Sequence, residues 1–115
     1  MIVDAALKVH RALGPCLLES VYEACFSHEL RLRGLNVGNQ VPVPIVYEGL
    51  RLDSALRIDL LVNDLVVVEL KSVEKLILLY GAQLLSYLRL TKKQLGLLIN
   101  FNVPLVKDGI KRIIL

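Results

Sequence analysis

The spacing of apolar positions changes period along the chain, and each change marks an element. From Ile2 to Leu13, Val3, Ala6, Leu7, His10 and Leu13 recur every three or four residues, the period of a helix with one buried face. Gly14-Pro15 ends it. A second helix is predicted over Leu17 to Arg33, with Leu18, Val21, Tyr22, Cys25, Phe26, Glu29 and Leu30 on one side and Gly34 suited to the position just past its end. The period then falls to two. Val41, Val43, Ile45 and Tyr47 alternate within Gln40 to Tyr47, and Pro42 and Pro44, which cannot donate to a ladder, make this an edge or partly irregular strand. Beyond the Glu48-Gly49 turn, Leu50 to Val62 is extended, with a break expected near Ser54. Asn63-Asp64 is a turn, Leu65 to Lys71 a strand with an apolar centre, and Ser72 a cap for a helix reaching about Leu90. Lys92-Lys93 connects to a buried strand over Leu95 to Phe101, and Ile110 to Leu115 is a last strand. The order α, α, β, β, β, α, β, β predicts an α/β fold: a central mixed sheet flanked by helices on both faces.

Four charged residues interrupt otherwise aliphatic strands: Arg57 and Asp59 in the first, Glu69 and Lys71 in the second. Alternation puts each pair on one face of its strand. Charges on a central strand are costly to desolvate and need partners. Two carboxylates meeting from adjacent strands repel unless a cation lies between them, and hard oxygen ligands without Cys or His favour Mg²⁺ or Mn²⁺. Such an ion activates water toward a phosphodiester, and a neighbouring lysine offsets the charge that develops. Geometry sets a condition. A clean two-residue hairpin at Asn63-Asp64 would turn Asp59 and Glu69 to opposite faces, so a shared site requires an odd-length loop or a bulge. The competing arrangement is a pair of structural salt bridges, Asp59–Lys71 and Arg57–Glu69. Gln83 and Tyr87, four apart on the helix that follows, share one face and can cover the strand. Glu19, a turn before Tyr22, is either an acid favoured by the helix N-terminus or a third acid reaching the metal site.

Composition narrows the class. At 115 residues the chain suffices for one core, so residues 1–115 are read as a single domain. It is 55% hydrophobic and 22% charged, which excludes a disordered tail. The mean hydropathy of +0.57 raises the question of a membrane span, but the longest uncharged stretches, Leu76 to Leu88 and Gln94 to Val106, are short of the ~20 residues a spanning helix needs. No membrane association is expected. The start shows no basic region leading into a secretory signal, and Cys16 and Cys25 read as unpaired, buried apolar residues, so a reducing cytoplasm is expected. The apolar excess implies either a sheet covered on both faces or a homodimer. The net charge is +3. Between Arg89 and Arg112, six basic residues (Arg89, Lys92, Lys93, Lys107, Lys111, Arg112) face Asp108 alone, a surface able to attract phosphate.

Taken in order, these motifs resemble the GxxExxY family, small prokaryotic proteins of the PD-(D/E)XK, or restriction-endonuclease-like, nuclease superfamily. The likeness runs through Val9-His10-Arg11-Ala12-Leu13-Gly14-Pro15, Leu17-Leu18-Glu19-Ser20-Val21-Tyr22-Glu23, Arg57 to Val62, Val68-Glu69-Leu70-Lys71, Gln83 to Leu88, and Gly96 to Phe101. The resemblance implies an αβββαβ core, metal ligation by Asp59 and Glu69 with a helix acid at Glu19, assistance from Lys71, and a Gln83/Tyr87 pair like the QxxxY motif of recombination-type exonucleases. The function expected is a divalent-metal-dependent deoxyribonuclease; Arg57 and Tyr87 are candidate backbone contacts, and from the charge distribution Arg89, Lys92 and Lys93 are candidates to bind or steer the polyanion. Cys16 stands at the glycine of the family's motif, and Tyr80-Gly81 where the family commonly carries His-Glu. The alternative function is a nuclease-fold module that binds nucleic acid or a protein without cutting.

Overall fold

A computed structural model describes residues 1–115. Helices α1 (Ile2–Leu13) and α2 (Glu19–Leu32) precede strands β1 (Val37–Tyr47), β2 (Leu50–Val62) and β3 (Val66–Lys71). Helix α3 (Leu78–Thr91), strand β4 (Leu95–Asn100), a 3-10 turn at Val106–Gly109 and strand β5 (Ile110–Ile114) complete the chain. The strands form one sheet in chain order. β3 and β4 run parallel and the other neighbours antiparallel, because α3 carries the chain back between β3 and β4. This is the α/β, mixed-sheet architecture expected from the sequence.

Each face of the sheet is covered. Ala5, Ala6 and Val9 of α1 and Tyr22, Phe26 and Leu30 of α2 pack on Leu60, Val62, Val68, Leu70, Leu97 and Ile99. Leu84, Tyr87 and Leu88 of α3 pack on the other face, against Ile58, Val67 and Leu98. Gly96 lets α3 come this close: a Cβ there would stand 3.0 Å from the Leu84 side chain. Two covered faces absorb much of the apolar excess.

Three local expectations need correction. α3 begins at Leu78, not after Ser72. Asn100, fully buried, accepts from the Val73 and Asn102 backbone N–H groups (3.1 Å each) and donates to the Val73 carbonyl (3.0 Å), while the Ser72 hydroxyl donates to the Leu17 carbonyl (2.5 Å). These bonds hold the residues after Lys71 in a non-helical path. β2 is one continuous strand across Ser54, but its pairing with β1 is irregular there: between Val43↔Leu56 and Ile45↔Leu52, Pro44 alone opposes Asp53, Ser54 and Ala55. Cys16 is an exposed loop residue rather than a buried one. Its φ of 73° is a left-handed conformation that a glycine would hold without a Cβ clash, about 1–2 kcal/mol cheaper.

Candidate active site

The turn between β2 and β3 contains three residues, Asn63 to Leu65, because Val62 pairs with Val66. That odd length puts Leu60 opposite Val68 and leaves Asp59 level with Glu69, as a shared acid site requires. Regular pairing of β2 with β3 stops there. The Asp59 N–H donates to Glu69 Oε1 (3.2 Å), and the Leu70 N–H donates to Asp59 Oδ2 (2.9 Å). Each carboxylate thus takes a backbone donor from the opposite strand, and the two acids occupy the point where the strands part.

A twist in the β1–β2 ribbon puts Asp59 there. Asn39 pairs with Leu60 and Val41 with Ile58, but the level between them, Gln40 and Asp59, is unpaired, and Gln40 has a φ of 50°. Leu60 and Val62 face α1 and α2, whereas Ile58 and Leu56 face α3. The ribbon changes face at Asp59, so simple alternation does not carry Arg57 into the site; Arg57 is exposed beside Pro42.

The electrostatics follow from this placement. Glu69 is 6% exposed. Burial first, and then the Asp59 carboxylate, push its pKa up to about 8. Neither expected salt bridge forms: the ion pairs of the structure leave Arg57, Asp59, Glu69 and Lys71 without partners. The Lys71 ammonium lies over the Tyr80 ring, 4.5 Å from its centroid. Loss of surrounding water, together with the Asp59 charge, raises the Glu19 carboxyl at the start of α2, and Lys71 opposes the rise. Tyr87 is raised by burial and then by Glu69 and Asp59, so its phenol faces the acids from α3.

Other expected residues fall differently. Glu19 does not close on Asp59 and Glu69 tightly enough for the three carboxyls to grip one ion together. Gln83 shares the Tyr80 and Tyr87 stripe of α3 but is exposed and bonds to neither acid. Tyr22 is a fully buried staple: its hydroxyl donates to the Gly14 carbonyl (2.5 Å) and accepts from the Leu17 N–H (3.2 Å), and its ring stacks on Phe101 at 4.7 Å. The basic residues Arg89, Lys92 and Lys93 lie toward the opposite end of the sheet from Lys71. Because β3 and β4 are parallel, the end of α3 returns beside Val66 and Leu95, five residues along the strand, ~16 Å, from Lys71. Lys93 is moreover paired with Asp64 at 3.2 Å. Lys111 sits at the site's end, level with Glu69 through Leu98, its Nζ 3.9 Å from where a Cβ on Gly81 would stand.

Two participants went unflagged in the sequence. The Gln40 amide donates to Glu23 Oε1 (2.7 Å) and to Asp59 Oδ1 (3.2 Å). Glu23 is one turn after Glu19 and shares its face, a signal that was available. Nothing in the sequence marks Gln40.

The family model described as the PD-(D/E)XK nuclease superfamily matches residues 1–113. The chain belongs to the PD-(D/E)XK nuclease superfamily. No curated protein and no solved structure gives a significant match. Asp59 and Glu69-Leu70-Lys71, the residues that carried the resemblance in the sequence, lie together where β2 and β3 part. Membership points to nuclease activity.

Proposed function

We propose that this protein hydrolyses DNA phosphodiester bonds with Mg²⁺ or Mn²⁺ held by Asp59 and Glu69. The observation that carries this reading is the pairing of two carboxylates from neighbouring strands, unneutralised by any cation of the protein, with a lysine two residues beyond. The donor set fits: two hard carboxylates suit an ion that keeps several waters and takes its remaining ligands from solvent and substrate phosphate. When bound, a divalent ion polarises a phosphoryl oxygen and lowers the pKa of a coordinated water.

The chain's own groups do the rest. Backbone N–H groups fix both carboxylates before the ion arrives, so little reorganisation is needed. Burial and Asp59 hold the Glu69 pKa at about 8, so Glu69 would have to release a proton to serve as a ligand, and metal affinity would rise with pH. Lys71, unpaired and at the strand end, offsets charge on the phosphoryl oxygens as they become more negative. Glu19 faces the same space from α2 and is placed to orient a water. The Tyr87 phenol and the Tyr80 ring border the site on the α3 side.

The test is incubation with single- and double-stranded DNA across a titration of Mg²⁺ and Mn²⁺. The expected result is metal-dependent cleavage that Asp59→Ala reduces by at least ~10³-fold. DNA retention without cleavage at any metal concentration would instead support the non-cutting binding module.

A further inference from the structure

We infer that Gln40 is a positioning residue for the metal site: its side-chain amide clasps Asp59 to Glu23 and so holds the Asp59 carboxylate in ligating orientation. The inference rests on the metal-site reading above and extends it to a residue outside the superfamily's acid and lysine pattern.

Asp59 has two oxygens with different anchors. Oδ2 takes the Leu70 N–H at 2.9 Å, and Oδ1 takes the Gln40 Nε2 at 3.2 Å. Without the amide, the carboxylate keeps one anchor and is free to turn about it. The amide is itself held, since the same nitrogen donates to Glu23 Oε1 at 2.7 Å. Glu23 lies on α2, so the clasp ties that helix to the point where β2 leaves β3. It also sets a neutral donor between two carboxylates, Glu23 and Asp59, that would otherwise repel across the same gap. Partners that orient a ligating carboxylate typically change metal affinity or activity by 10- to 100-fold when removed.

Gln40 contributes in two separable ways. Its backbone, with φ at 50°, makes the twist that turns Asp59 toward β3. Its side chain makes the clasp. Glycine accepts a positive φ without steric cost, so Gln40→Gly keeps the twist and deletes the clasp. Asparagine tolerates the same φ and keeps an amide on a shorter stem. A role confined to folding would show in thermal stability; a positioning role shows in metal binding at unchanged stability.

Mn²⁺ binding by titration calorimetry, on the whole chain and without DNA, is the direct readout. Gln40→Gly is expected to weaken Mn²⁺ binding by ~10-fold or more while its melting temperature stays at or above that of the wild type. Gln40→Asn is expected to recover part of the loss. Glu23→Ala is expected to weaken binding less, and the Glu23→Ala/Gln40→Gly double variant to be no worse than Gln40→Gly alone, because both act through one clasp. In the cleavage assay the Mn²⁺ activation midpoint moves by the same factor while kcat at saturating Mn²⁺ changes little. Wild-type binding that Gln40→Gly leaves unchanged overturns the inference alone. Mn²⁺ binding with the expected loss, but no cleavage by the wild type, overturns the nuclease reading alone. A wild type that binds no Mn²⁺ overturns both.

Discussion

Replacing Glu69 by glutamine is expected to stabilise the metal-free protein at alkaline pH and to abolish the metal-dependent DNA cleavage proposed for it. The carboxyl of Glu69 is buried beside Asp59, and its pKa stands at about 8, above the unfolded value near 4.5. A folded-state pKa raised above the unfolded one means that the native state holds a proton the unfolded state has already lost. The favourable contribution is fully present below pH 4.5 and is lost progressively as pH rises through about 8. Glutamine never ionises, so the variant escapes that loss while still accepting the Asp59 N–H. Urea denaturation without metal is expected to show similar stabilities near pH 5 and an advantage of about 4 kcal/mol for Glu69→Gln near pH 9. Saturating Mn²⁺ reverses the order, because only the wild type has the second carboxylate and ligand binding adds to its stability. A gap that does not grow with pH would mean that Glu69 is not desolvated against Asp59.

Lys71→Met is the second variant with a large expected effect. Methionine keeps an unbranched stem against Tyr80 and removes only the ammonium, 4.5 Å from that ring. The ammonium lowers the proton affinities of Glu19 and Glu69, so its removal leaves more negative charge in the cleft. Mn²⁺ is therefore expected to bind as tightly or slightly more tightly, while cleavage at saturating Mn²⁺ falls by ~10²–10³-fold, the usual effect of removing one stabilising donor from a reacting centre. Single-turnover cleavage measured beside calorimetric Mn²⁺ binding separates the two quantities. A parallel fall in both would place Lys71 in holding the site together rather than in the chemistry.

These expectations show where the sequence is legible. The helices and strands follow from a period that switches between 3.6 and 2, with Gly and Pro at the joints. Asp59, Glu69 and Lys71 stand out because charge in an aliphatic strand demands a reason, and the three-residue turn that unites the acids follows from the need to share a face. The twist at Gln40 is invisible, since a positive φ at a glutamine breaks the local rule that would be used to find it. It is also why Arg57, which alternation places beside Asp59, lies elsewhere. The start of α3 at Leu78 depends on Asn100 and Leu17, 27 and 55 residues from the backbone and hydroxyl they tether, contacts no local window contains. The position of Arg89, Lys92 and Lys93 is hidden for a different reason: they follow the Glu69–Lys71 strand closely in sequence, but a parallel crossover returns the chain to the far end of the sheet.

The central claim is that Asp59 and Glu69 form one site for a hard cation. Anomalous diffraction from a crystal soaked in Mn²⁺ tests it most directly. The account predicts a single strong peak in the cleft where β2 and β3 part, within coordination distance of Asp59 Oδ and Glu69 Oε, and lost in Asp59→Ala. A peak elsewhere on the protein with none between these two carboxylates would contradict it.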